Sequence, residues 1–369
     1  MVLFTDVEPD VPRGARRSTW VGWLLVIVGL VAALVIAVTP APYVIERPGP
    51  VFNTLGDTRV GGEERPLIQI PDQQTYETDG ALSLLTVTVS GNPQQLPTWI
   101  DIALAWFDPS KKVVPVAEVF PPGTTLEQSN EQSRVDMENS KQEAIAAAMT
   151  ELGYEYTSTL TIVATTDGMP ADGVLADGDR IVSLNGQAFT DVTSLREAIA
   201  ENGTDAPAEV VVDRDGEQVT EELTPVPGPD GQPVLGITVG SEYDFPFAVD
   251  IELDDVGGPS AGMMFALGII DKLTPGELNG GENIAGTGTI TAAGEVGPIG
   301  GIRQKMYGAL GSGADWFLAP AGNCEEVVGN VPDGLEVFAV QTLDDAEAAV
   351  EGIAAGDTAD LPGCETFAG

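Results

Sequence analysis

The chain has 369 residues, with 57 Asp and Glu against 16 Lys and Arg, and a formal net charge of −41. Such a balance argues against phosphate-binding surfaces, so nucleic acid is not expected as a partner. Hydrophobic residues make up 43% of the chain, enough for a core, and histidine is absent, which excludes Ser-His and Cys-His catalytic pairs and every His-ligated metal site. No metal or cofactor is expected. An amine base would have to come from Lys111, Lys112, Lys141, Lys272 or Lys305, the only lysines in the sequence.

The first element is an uncharged apolar run, Trp20 to Val38, close to the ~20 residues of helix that cross a bilayer. It exceeds the ~7–15 residue apolar core of a secretory signal, and Thr39-Pro40-Ala41-Pro42 makes a poor cleavage site. The run reads as a retained single-pass anchor. Arg13, Arg16 and Arg17 precede it, while Glu46 and Arg47 balance each other after it. Residues 1–19 are therefore expected in the cytoplasm and everything beyond residue 38 outside the cell membrane. Cys324 and Cys364 suit that compartment, and their even count predicts a Cys324–Cys364 bridge. A proline-rich stalk, residues 40–50, opens the region 39–157. Within it, residues 80–90 alternate like a strand, residues 121–134 read as a polar loop, and a helix is expected from about Asp136 to Leu152, stopping at Gly153.

A strand at residues 159–163 leads to Gly178-Asp179-Arg180-Ile181 and Asn185-Gly186. A short helix follows over residues 192–200, then a hairpin over 209–224 turned at Asp215-Gly216. Residues 158–226 resemble a bacterial PDZ domain, which implies binding of an extended peptide along a sheet edge. A linker over residues 225–231 separates this module from the rest.

After a strand expected over residues 247–253 comes Gly257-Gly258-Pro259-Ser260-Ala261-Gly262, then an apolar helix to about Lys272. The Gly-x-Ser-x-Gly pattern matches a hydrolase nucleophile elbow in form, but that class needs a histidine. A serine at a strand-to-helix turn still faces unpaired N–H groups and a positive helix end, able to hold an oxyanion. An ordinary serine N-cap explains the stretch equally well.

Residues 284–305 then read Ile-Ala-Gly-Thr-Gly-Thr-Ile-Thr-Ala-Ala-Gly-Glu-Val-Gly-Pro-Ile-Gly-Gly-Ile-Arg-Gln-Lys. Together with Gly-Pro-Ser-Ala-Gly, over residues 230–352, the chain resembles the proteolytic domain of Lon proteases. The resemblance implies Ser260 as nucleophile, Lys305 as base, Thr287 bonded to the lysine, and Gly257, Gly258 and Ala261 in the oxyanion turn. Pro320 and Asn323 match a further strand-end signature. Helix residues 137–144 resemble an early helix of the same domain, which would make the PDZ module an insertion within one fold.

The expected architecture is therefore α+β: one transmembrane helix, a β-rich PDZ-like module, a Lon-type α+β domain, and a C-terminal tail over residues 353–369. The implied partners are polypeptide substrates, with a homo-oligomeric ring as the assembly that Lon-like domains bring to mind.

Two departures stand out. Gly257 replaces the aspartate usual three residues before the serine, leaving Asp254 or Asp255 as substitutes. Gly-Lys occurs nowhere in the sequence, so there is no Walker A motif. Lys305 can act as base only if an apolar pocket lowers its pKa from ~10.4, and Ile302, Met306 and Met263 are candidates to line it. Lys272, at the far end of the helix after Ser260, reads as solvated. The reading is an ATP-independent serine endopeptidase cutting loose extracytoplasmic chains. The rival is a catalytically silent PDZ and Lon-like scaffold, favoured by Gly257; a non-peptide amide hydrolase is a third reading.

Overall fold

The computed structural model describes residues 15–121, 125–228, 231–253 and 256–368. Arg13, the linker residues Pro229 and Asp230, and Asp254 and Asp255 lie outside them. Helix α1, Ala15–Val38, carries the apolar run, and no residue of Trp20–Val38 is buried in the protein.

Strand β1 (Tyr43–Asn53) follows at once, then β2 (Ala81–Ser90), α2 (Trp99–Trp106), β3 (Lys112–Pro115) and α3 (Leu126–Glu151). The expected stalk is thus largely a strand, paired antiparallel with β2 on one side and β3 on the other. Its prolines fit because the register shifts between Pro48 and Val51, and a residue without an N–H is tolerated at such a bulge. Gly49 belongs there for want of space: a Cβ would lie 2.3 Å from Thr86 Oγ1. Of the expected loop over 121–134, residues 122–124 lie outside the described residues, and from Leu126 on it gives way to α3. Thr125 and Gln128 each accept the other's main-chain N–H, a capping box that satisfies two donors the first turn would otherwise leave unpaired. The polar residues that read as loop are the opening turns of this helix.

The next strands are β4 (Thr157–Thr165) and β5 (Arg180–Leu184), followed by α4 (Val192–Asn202), β6 (Ala208–Arg214), β7 (Glu217–Leu223) and β8 (Ile237–Asp244). They form an antiparallel sheet in the order β7-β6-β5-β4-β8. Asp215 and Gly216, at φ 54° and 88°, supply the positive-φ pair that a two-residue hairpin requires. The sheet runs past the span 158–226 read from the sequence, because β8 pairs along its whole length with β4. Leu160, Ile162, Leu184, Leu195, Val210 and Val212 belong to its own separate core.

The chain then forms α5 (Gly262–Leu273), β9 (Asn283–Gly286), α6 (Ile302–Gly311), β10 (Trp316–Pro320), β11 (Glu336–Val340) and α7 (Leu343–Ala355). The strand expected over 247–253 contracts to Asp250–Ile251, paired with Ile68–Gln69. Strand β9 runs parallel to both β2 and β10, giving a mixed sheet in the order β11-β10-β9-β2-β1-β3. Segments from before and after the antiparallel sheet therefore build one sheet, with the smaller module inserted between them.

The mixed sheet is covered on both faces, and strand alternation decides which residue faces which layer. Leu82, Leu84, Ile284, Leu318 and Phe338 share a core with α3, α5 and α7. Leu85, Ala285, Phe317 and Ala339 share another with Ile302 and Met306 of α6. Cys324 and Cys364 are bonded, with Cα atoms 4.9 Å apart, inside the α6-side core. The architecture is α+β throughout.

Candidate active site

Ser260 sits in the turn that opens α5. Helix α3 clamps this turn from behind: the Gly258 N–H donates to Ser133 O (2.9 Å), and Ser140 Oγ donates to Pro259 O (2.9 Å). The same close approach accounts for Gly257. A Cβ at that position would lie 2.7 Å from Ser133 Cβ, so an aspartate has no room in this chain. Gly258 has φ +86°, a conformation natural to glycine. Ala261 is buried and is the N-cap of α5, with no side-chain cap bond, so no side chain consumes the N–H groups of the first turn.

The end of β9 faces this turn. Thr287 is fully buried, and its Oγ1 donates to Ser260 O (2.8 Å). The Gly288 N–H donates to the same oxygen (3.0 Å), and the Met263 N–H returns a bond to Gly288 O (3.2 Å). Lys305 reaches in from α6 with only 2% of its surface exposed. Its Nζ lies 2.7 Å from Ser260 Oγ and 2.8 Å from Thr287 Oγ1. Ile302, Met306 and Met263 are fully buried. Among the described residues no carboxylate pairs with Lys305, and burial pushes its pKa down to about 7.

The hydrogen bonds also orient the amine. Thr287 has a single hydroxyl proton, and it is given to Ser260 O, so its oxygen is left to accept an N–H from Lys305. A neutral Lys305 then has its lone pair free for the hydroxyl proton of Ser260. The segment entering α6 is held by Asn323, which accepts from the Ile299 N–H (2.9 Å) and donates to Ile299 O (2.8 Å). Lys272, expected in solvent, is half-buried and donates to Leu55 O (3.3 Å).

A second set of contacts was not foreseen. Helix α3 runs along the outer edge of β8, the edge strand of the antiparallel sheet. Asn139 Nδ2 donates to Val239 O (2.8 Å), and its Oδ1 accepts from the Ser241 N–H (3.1 Å). One carboxamide thus occupies two main-chain groups that an added strand would bond. Buried Glu143 accepts from the N–H groups of Val192 (3.0 Å) and Thr193 (3.3 Å) and from Thr193 Oγ1 (2.9 Å), at the start of α4. Asp136 pairs with Arg196 of α4 (2.6 Å). Burial, and then the neighbouring Asp191 carboxylate, raises the Glu143 pKa to about 7. The sequence did hold a trace of this: Ser133, Asp136, Asn139, Ser140 and Glu143 recur at helical intervals, a polar stripe on one face.

Fold and site together define a two-module chain, in which a mixed-sheet domain that sets half-buried Ser260 against buried Thr287 and Lys305 carries an inserted antiparallel module. Residues 255–351 match the C-terminal proteolytic domain of Lon protease (S16), and residues 134–224 match a PDZ domain; the chain carries both. The PDZ match begins inside α3. Lon protease of Azospirillum brasilense is 40% identical over 91 residues, covering 24% of this chain and 11% of that protein. Lon protease 2 of Herpetosiphon aurantiacus is 42% identical over 91 residues, with the same coverage of each chain. The chain thus spans about a tenth of the length of these relatives. The solved PDZ domain of the SdrC-like protein from Listeria innocua superposes on 22% of this chain and 92% of its own, at 18% identity and a TM-score of 0.21, too low a score to carry weight.

Proposed function

We propose that the chain is a membrane-anchored serine endopeptidase that works without ATP. The observation that carries this reading is the 2.7 Å contact between Lys305 Nζ and Ser260 Oγ at a lysine only 2% exposed. Neutral Lys305 takes the hydroxyl proton as Ser260 Oγ attacks the scissile carbonyl carbon. Main-chain N–H groups of the turn at Ser260 to Gly262 receive the developing oxyanion, while the Gly258 N–H is held by Ser133 O and only shapes the turn. The Lys305 ammonium then protonates the leaving amine as the C–N bond breaks, and water, deprotonated by the same amine, releases the acyl group. Thr287 positions the amine. In this reading the substrates are loose segments that need no unfolding. The apolar run of α1, its charge flanks and the Cys324–Cys364 bond support an extracytoplasmic location for the catalytic domain.

The PDZ module recruits peptide by strand addition to the β8 edge, which requires the incoming strand to replace Asn139. Gly257 no longer favours the scaffold reading, since Ser133 accounts for that glycine. The test is to incubate the full chain in detergent with an unfolded protein and no nucleotide, alongside Ser260→Ala and Lys305→Ala. Cleavage by the unmodified chain alone is expected. Cleavage by Ser260→Ala would remove the assigned nucleophile, and silence of all three on proteins and short peptides would restore the scaffold.

A further inference from the structure

Helix α2 is apolar nearly all round. Its one charged residue, Asp101, is spent in a capping box with Thr98. On one side Ile102 and Ala105 are buried against Ala41 and Ile45. On the other, Ile100, Leu104 and Phe107, the last at its C-cap, are 50%, 65% and 88% exposed, and Trp106, also exposed at 65%, lies round the helix from them. Positions 100, 104 and 107 share one helical stripe. A helix with no polar face is ordinarily buried or in contact with lipid.

The place of α2 in the fold selects the lipid. The Trp99 N–H donates to the carbonyl of Thr39 (3.2 Å), and the Ala41 N–H donates to Pro97 O (2.8 Å). Thr39 is the first residue after α1, and the two helices pack together. The exposed stripe of α2 is therefore continuous with the apolar surface of α1, and main-chain bonds hold it at that helix's outer end. A second copy of the chain is a poorer occupant. Each carries a formal net charge of −41, which opposes association. Four side chains also offer far less than the ~800 Å² per partner of a stable interface.

We propose that α2 lies in the outer lipid–water interface, with Ile100, Leu104 and Phe107 inserted beside α1 and Trp106 flanking them, so that the bilayer holds the mixed sheet at a set height. The composition is that of interfacial segments, where tryptophan and large apolar side chains sit at headgroup depth. Because α2 also packs on β1 and β3, the contact ties the domain to the membrane as a body rather than by a free tether. The proposal rests on the reading that α1 spans the bilayer.

A nitroxide at Phe107→Cys tests it, because that side chain is largely exposed and the native cysteines are bonded to each other. The labelled full chain is reconstituted in vesicles of equal parts phosphatidylethanolamine and phosphatidylglycerol, and collision with oxygen is compared with collision with a water-soluble nickel chelate. Labels at Leu30→Cys in α1 and Glu217→Cys in the PDZ sheet serve as lipid and water references. The expected result is an oxygen-to-nickel ratio at 107 several-fold above that at 217. A water-like ratio at 107 with a lipid-like ratio at 30 overturns the interfacial contact and leaves the span intact. Shielding of 107 from both reagents overturns it in favour of a second copy, and water-like ratios at both 30 and 107 overturn the span and the contact together.

Discussion

Two buried ionisable side chains, Lys305 within the mixed-sheet domain and Glu143 where α3 of that domain meets the inserted module, are treated in opposite ways. Lys305 lies among apolar residues with two hydroxyl oxygens as its hydrogen-bond partners. Glu143 accepts bonds from two N–H groups and a hydroxyl, yet has the Asp191 carboxylate as neighbour. Burial is the larger cause for both and drives each toward its neutral form at about pH 7, downward for the amine and upward for the acid. The comparison separates two uses of a buried polar group. At Lys305 the loss of charge frees a lone pair for chemistry. At Glu143 the group fastens one module to the other, and its charge matters less than the donors it satisfies.

The largest effect expected is at the lysine. Lys305→Arg should lower kcat/KM by more than ~10³-fold, because a guanidinium stays protonated and cannot serve as base. Lys305→Met, similar in length and uncharged, should be as inactive yet fold cooperatively in a melting experiment. Appreciable turnover by either variant would show that another group takes the Ser260 proton.

Next comes the spacing between α3 and the Ser260 turn. Gly257→Ala should displace the turn from Ser133 and cost ~10²-fold in kcat/KM, the scale of an ångström-sized misplacement. Gly257→Asp, which adds a larger side chain at the same point, should be worse. A more active Gly257→Asp enzyme would contradict the steric account.

The Glu143 contact is expected to matter for stability more than for chemistry. Glu143→Ala leaves the buried donors of Val192 and Thr193 unpaired and should cost ~1–3 kcal/mol in denaturant unfolding. Glu143→Gln, which retains an acceptor oxygen, should cost less. Hydrogen exchange at β8 and the start of α4 should quicken in the alanine variant and scarcely change elsewhere.

The smallest effects are the pH slopes, whose signs are opposite. The Lys305 pKa of about 7 lies below the unfolded value of ~10.4. Between those values the unfolded chain binds more protons, so this group's contribution to stability grows as pH rises. The Glu143 pKa of about 7 lies above ~4.3, so its contribution is lost as pH climbs across that lower window. Lys305→Met should flatten the alkaline slope and Glu143→Gln the acidic one. Activity should follow the amine alone, with kcat/KM rising through about pH 7 and unaltered in that rise by Glu143→Gln.

Some of this was legible in the linear chain because it depends on neighbours in sequence. The apolar run of α1, the Asp215-Gly216 turn, and the glycine-bounded turns around Ser260 and Thr287 are set by hydrophobic length and local backbone demands. With histidine absent, an amine base has five lysines to come from, and the two motifs around residues 260 and 305 select one. Local patterns also misled: proline at residues 48 and 50 masked β1, and the polar opening turns of α3 hid behind a capping box. What only the tertiary structure decided depends on segments far apart in the chain. That Lys305 is dry and that Thr287 spends its proton on Ser260 O depend on how the α5 turn, the end of β9 and α6 meet, and the contacts of Gly257 with Ser133 and of Asn139 with β8 depend on where α3 packs. Desolvation and close packing are properties of three-dimensional neighbourhoods, and in this chain those neighbourhoods join elements well apart in sequence, across the whole inserted module where Ser133 meets Gly257.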